Sequence, residues 1–149
     1  MTRSPLRLLL PFGFAAVLAF GQSSTRISSD APIINFRLPS YTISGGFRAW
    51  LVRGTEARVA GPNDINIKEL TMTIFSGDAR ERIETMILSP TAKVAPEDQV
   101  ATGDGGIRVI NDNFEATGIG WRYEHKEKKV SISRHVRVVL HSEFKNLLK

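Results

Sequence analysis

The sequence contains no cysteine among its 149 residues. That excludes disulfides, thiolate metal sites, a thiol nucleophile and a lipoprotein attachment point, so an exported form must be held by its apolar core and backbone hydrogen bonds. Histidine is scarce too: His125, His135 and His141 are the only three, and none falls in His-x-His, His-Glu-x-x-His or His-x-x-x-His spacing. No metal motif is left. No window of a dozen residues carries a helical 3.6 period, which argues against helical architectures. No apolar run after residue 21 approaches the roughly 20 residues needed to span a bilayer as a helix.

The chain does open on an apolar run. Residues 1–7 carry Arg3 and Arg7 and no acid, residues 8–20 are apolar, and Ala19-Phe20-Gly21 forms a small-x-small cleavage site before Gln22. This pattern reads as a secretory signal over residues 1–21. The competing reading is a retained membrane anchor, against which stand the short run and the interruption at Pro11. Subtracting 21 residues from 149 leaves 128, the size of one domain. Loss of Arg3 and Arg7 leaves 18 Lys and Arg against 15 Asp and Glu, a net of +3 rather than +5. Nucleic acid is not implied as a partner by so mild a charge.

Residues 22–32 are polar apart from a few aliphatics and read as a flexible lead-in. The β domain is expected over 33–142, with a tail at 143–149 able to make one helical turn. Within the domain, short apolar runs of period two alternate with turn residues. Candidate strands cover 33–38, closed by Pro39; 47–53, stopped at Gly54; 65–67 and 70–75; 83–88, ended by Ser89 and Pro90; and 92–95, 100–102, 107–110, 114–117, 119–124, 130–133 and 135–140. Residues 103–106 and 111–113 are rich in Gly, Asn and Asp and read as tight connections, and the charged segment 124–129 as a solvated hairpin tip. The fold class is therefore all-β: a sandwich, jelly roll or barrel. A loose internal echo relates Gly54 and the strands that follow it to Gly118 and the strands after it, which suits a sheet built by stacking similar rungs.

Catalytic constellations are not apparent. Ser44-Gly45 and Ser76-Gly77 lack the Gly-x that opens a nucleophile elbow. Asp104, Asp112 and Asn113 do not form a calcium loop, and 103–106 has neither the Lys-Ser/Thr nor the helix of a phosphate cradle. A hydrolase would need Glu56, Glu84 or Glu115 to meet as paired carboxylates in a cleft. What remains is strand parity. Val130, Ile132, Val136, Val138 and Leu140 share it, as do Ile65 and Ile67, then Leu70, Met72 and Ile74, then Ile107 and Val109. One face of each strand points to an interior, which is either an ordinary core or the lining of an open sheet that accepts lipid chains.

Five segments in order carry a resemblance: Gly46-Phe-Arg-Ala-Trp50-Leu-Val-Arg-Gly54-Thr-Glu-Ala57; Ile87-Leu-Ser-Pro90-Thr-Ala92; Ala101-Thr-Gly103 with Gly106-Ile-Arg-Val109; Phe114-Glu-Ala-Thr-Gly118-Ile-Gly-Trp121; and Val130-Ser-Ile-Ser-Arg-His-Val136-Arg-Val138. Together, over about 35–140, they resemble the LptC/LptA (OstA-like) family of periplasmic lipopolysaccharide-export proteins. The resemblance implies an open, twisted antiparallel β-jelly roll and no enzymatic activity or cofactor. Its apolar groove would shield acyl chains of lipopolysaccharide or a related glycolipid, and its edge strands would stack into a bridge between the membranes. Implied partners are other β-jelly-roll transport proteins, the inner-membrane ABC export complex, and further copies of the chain by edge-strand stacking. The leader matches the cleaved, LptA-like type and the modest length the anchored, LptC-like type, so the subtype stays open. Groove candidates by parity and position are Trp50, Leu51, Ile67, Met72, Ile74, Ile87, Ile107, Val109, Phe114, Trp121, Val136 and Val138. The alternative reading is an extracytoplasmic β-sandwich that binds polysaccharide or another envelope protein through its loops.

Overall fold

A computed structural model describes residues 31–141. The leader, most of the lead-in and the C-terminal tail lie outside those residues. The described chain is all-β, with seven strands: β1 (Ile33–Tyr41), β2 (Arg48–Gly61), β3 (Asp64–Phe75), β4 (Ile83–Ala95), β5 (Val100–Asn111), β6 (Phe114–Glu124) and β7 (Lys129–Leu140). They form one antiparallel sheet in sequence order, β1 to β7, so each strand pairs only with its neighbours in the chain. The sheet is open: β1 and β7 each carry a ladder on one side only.

Seven long strands replace the dozen short ones expected from the turn signals, because most internal signals mark corners inside a strand. Glu69 separates the runs 65–67 and 70–75 yet lies within β3, with φ at 52°. Ser89 and Pro90 were expected to end a ladder, but β4 passes through both. Pro90 offers no N–H, and the Ser89 hydroxyl compensates locally. It lies 2.7 Å from the Gly106 carbonyl and 2.9 Å from that of Thr91, while accepting from Trp121 Nε1 at 3.2 Å. Residues 103–106, expected as a connection, are a register shift inside β5. β2 likewise continues through Gly54, and β1 runs past Pro39 as an edge strand can.

These corners line up across the sheet. Asn35 (φ 55°), Glu69, Gly120 (φ 69°) and His135 (φ 50°) are left-handed residues within strands. Such residues turn a strand sharply: pairing stays in register across Asn35 and Glu69 and shifts by one residue at His135, where β7 carries a bulge. The corner at Glu69 also changes parity. Ile65 and Ile67 are odd-numbered, while Leu70, Met72 and Ile74 are even, yet all five are buried. β3 keeps one register with β2 and with β4 on both sides of Glu69, so it is the left-handed turn of the strand there, shared by its neighbours, that brings both runs to one face. The echo between Gly54 and Gly118 has the same origin. A Cβ on Gly54 would overlap Ile67 Cγ2 and stand 2.9 Å from the Lys68 carbonyl; one on Gly118 would overlap Ile132 Cγ2 and stand 2.9 Å from the Arg134 carbonyl. Both positions need glycine because the next strand's corner passes directly over them.

The line of corners divides the sheet into two lobes whose inner faces contribute to a single apolar core. Tips of the two lobes also touch. Lys128, in the β6–β7 hairpin, bonds Glu84, at the start of β4, at 2.9 Å. The sheet is therefore folded over on itself. The connections at 112–113 and 125–128 fall where sequence turn chemistry placed them.

Candidate functional site

The inner face is built from rows of residues that face each other across successive strands. In one lobe the row is Leu38, Val52, Met72, Ile87, Val109, Ala116 and Val138, each opposite the next through all six ladders. In the other lobe Val59, Ile65, Val94, Ala101, Tyr123 and Val130 form a similar row from β2 to β7. Every member of the first row is apolar. Burial along it is uneven: Val52 and Ile87 are 0% exposed, whereas Val138 is 53% exposed.

That exposure extends along the second half of β7. Val136 and Leu140, of the same parity as Val138, are 53% and 55% exposed. Leu140 faces Phe114, which is only partly buried. The first half of β7 differs. Val130 and Ile132 pack against the core, opposite the buried Tyr123 and Trp121. One lobe is thus closed at the β7 edge and the other open there.

Of the twelve predicted groove residues, Trp50, Ile67, Met72, Ile74, Ile87, Ile107, Val109 and Trp121 are buried in the core. Phe114 borders it, and Val136 and Val138 lie at the open edge. Leu51 stands apart. It faces Pro39 and Thr73 and alternates with the inward Trp50 and Val52, so it belongs to the outer face. Ile67 and Trp121 belong to the closed lobe, so the set does not form one continuous strip. Sequence reasoning left out Leu38, Val52 and Ala116, whose place in the row depends on register rather than on local pattern. Surface hollows of about 510 Å³ beside Lys68 and Lys93, and about 580 Å³ beside Leu88 and Arg108, include only Ile67 and Ile107 of the predicted set.

Polar atoms on the inner side are few. The Trp50 indole N–H is buried and has no hydrogen-bond partner among the described residues, whereas that of Trp121 is satisfied by Ser89. His125 is not the freely solvated turn residue expected. Its Nδ1 lies 2.8 Å from the Tyr123 hydroxyl. Partial burial, aided by Lys128, holds its pKa below the usual histidine value, and burial with the nearby Glu84 pushes the Tyr123 phenol well up.

The carboxylates examined for acid–base chemistry are each engaged by cations. Glu56 meets Lys68 at 3.1 Å and Arg58 at 3.2 Å, Glu84 meets Lys128, and Glu115 meets Arg108 at 2.6 Å. Hydrogen bonds from Lys68 and Arg108 hold Glu56 and Glu115 below the ordinary carboxylate range. A general acid needs the opposite shift. Among the described residues no group of three His, Cys, Asp or Glu could hold a metal ion, and no helix is long and apolar enough to cross a membrane.

One open, folded antiparallel sheet of seven strands with an apolar inner face has the form of an open β-jelly roll. Residues 19–141 match the family model for lipopolysaccharide-assembly, LptC-related proteins. The chain belongs to that family, one of transport proteins of the cell envelope. A comparison with curated proteins found no match.

Proposed function

We propose that the chain carries lipopolysaccharide by sheltering its acyl chains along the inner face of the open lobe, with the sugars left in water. The observation that supports this most directly is the seven-residue apolar row, buried through β2 to β6 and laid bare at Val138. Each methylene withdrawn from water is worth roughly 0.8 kcal/mol, so a lipid with several long chains gains much from even partial cover. Chains would slide in beside Val136, Val138 and Leu140 and displace contacts between the lobes. The unpartnered Trp50 N–H, on the row next to Val52, is a donor suited to an ester or amide carbonyl at the head of an acyl chain.

The unpaired edges supply the second half of the reading, a bridge built by β-augmentation with neighbouring jelly rolls. β7 is the better docking edge of the two: it runs twelve residues without proline, while the nine-residue β1 contains Pro39. Partners of this kind are other jelly-roll transport proteins, the inner-membrane export complex, or a second copy of this chain. Export to the periplasm through residues 1–21, cleaved or kept as an anchor, completes the arrangement. Photo-crosslinkers at Ile74, Ile107 or Val138 are expected to capture lipopolysaccharide in cells. Adducts confined to the hairpin at 125–129 would refute the reading.

A further inference from the structure

The outer face of the open lobe carries its own row in register. Arg37 faces Arg53, and the line continues through Thr71, Leu88, Arg108 and Thr117 to Arg137 on β7. All four arginines are exposed. Beside them, two residues along each strand, Leu51, Met86 and Ile110 make a partly buried aliphatic stripe around the buried Thr73. Like charges directly opposite one another weaken a sheet. At Arg37 and Arg53 no carboxylate among the described residues forms an ion pair that would offset that repulsion.

The acids on this face do not cancel the row. Glu115 bonds Arg108 at 2.6 Å and also feels Arg137, while Glu69 borders the hollow at Leu88 and Arg108 near the corner. The uncompensated charge therefore lies on the β1–β2 side. Seven strands at about 4.8 Å spacing make the row roughly 29 Å long, far wider than one phosphate group. Guanidinium groups engage phosphate oxygens in bidentate fashion, and aliphatic side chains between them suit the boundary between headgroups and acyl chains.

We propose that this outer face docks on an anionic phospholipid surface, with Arg37 and Arg53 as its principal phosphate contacts and Leu51, Met86 and Ile110 pressed into the headgroup layer. A bilayer offers many laterally mobile phosphates over a broad plane, which fits a wide row of separate cations better than a single fixed anion does. The proposal goes beyond the lipopolysaccharide reading, which concerns the opposite face of the sheet, and either can fail without the other.

The test uses the full chain and vesicles of phosphatidylcholine alone or mixed with phosphatidylglycerol, and reads the ratio of the two binding constants by co-sedimentation. The apolar leader is common to every variant and cancels in that comparison. Each arginine near an anionic surface is worth roughly fivefold in binding. Arg37→Gln combined with Arg53→Gln is expected to lower the ratio about 25-fold. Both side chains are exposed and mutually repulsive, so the pair should fold normally, which its thermal unfolding checks. Lys126→Gln with Lys129→Gln removes the same charge from the distant hairpin and is expected to leave the ratio unchanged. An unaltered ratio in the arginine variant overturns the proposal and leaves the face to an acidic protein. An equal fall in the lysine variant also overturns it, as an effect of net charge.

Discussion

The two halves of β7 share one strand, one partner and one inward parity, yet differ in burial. Val130 and Ile132 lie under the closed lobe, while Val136, Val138 and Leu140 are bare. The difference comes from what stands across the fold. The closed lobe places Tyr123 and Trp121 beside β7 and ties its hairpin to β4 through Lys128 and Glu84. Beyond the corner at His135, Ala116 is the cross-strand neighbour of Val138, and its single methyl cannot cover it. Val138 is thus bare beside a small neighbour, and Leu140 is bare because Phe114, which faces it, only borders the core.

The largest effect should come from filling a corner. Gly118→Val places a side chain against Ile132 and the Arg134 carbonyl and should cost about 3 kcal/mol or abolish folding, with Gly54→Val behaving alike. Denaturant titration reads both. A milder outcome at either site would mean that the sheet bends elsewhere. Next in size is a contrast within one row. Ile87→Ala should cost about 3 kcal/mol through its cavity, whereas Val138→Ala should cost under about 1 kcal/mol because much of that side chain already meets water. Equal losses would mean that the β7 edge is as sealed as the centre.

Ser89→Ala should cost about 1–2 kcal/mol, since it strips the Trp121 N–H of its buried partner and removes a hydroxyl from the Gly106 carbonyl. Thermal unfolding of Ser89→Ala beside Ser89→Thr separates loss of the hydroxyl from a change in packing. The smallest effect, below about 1 kcal/mol, concerns the closing hairpin. The folded-state pKa of His125 is depressed, so the unfolded chain takes up a proton first as the pH falls. Stability is full above the ordinary histidine value of about 6.5 and declines as the pH drops through it toward the lower folded value. Unfolding at about pH 7.5 and about pH 5.5 should show a smaller difference in His125→Gln than in the parent chain.

Much of the fold is legible in the sequence because strand alternation is local. Period two marks the inward residues of β3 and β7, and Asn111 to Asn113 and the charged 124–129 segment mark hairpins. Corners are less legible. Pro90 and the glycines at 103–106 look like turn residues, and Asn35, Glu69 and His135 give no glycine or proline signal at all, although each adopts a left-handed conformation. The misassignment of Leu51 has a simpler origin: adjacent residues on a strand face opposite sides, so Trp50 and Leu51 cannot both point inward. Groove and core use the same aliphatic residues. Only register and cross-strand neighbours distinguish Ile87, sealed between Met72 and Val109, from Val138 at the margin.

In the proposed function, acyl chains meet the protein at the second half of β7. Its most direct test is site-specific photo-crosslinking in cells at Val138 and at Ile132, which share the strand and face but lie on opposite sides of the corner. Lipopolysaccharide adducts should be abundant at Val138 and scarce at Ile132, with the protein folded in both cases. Adducts that favour Ile132, or equal capture at the two positions, would contradict the account.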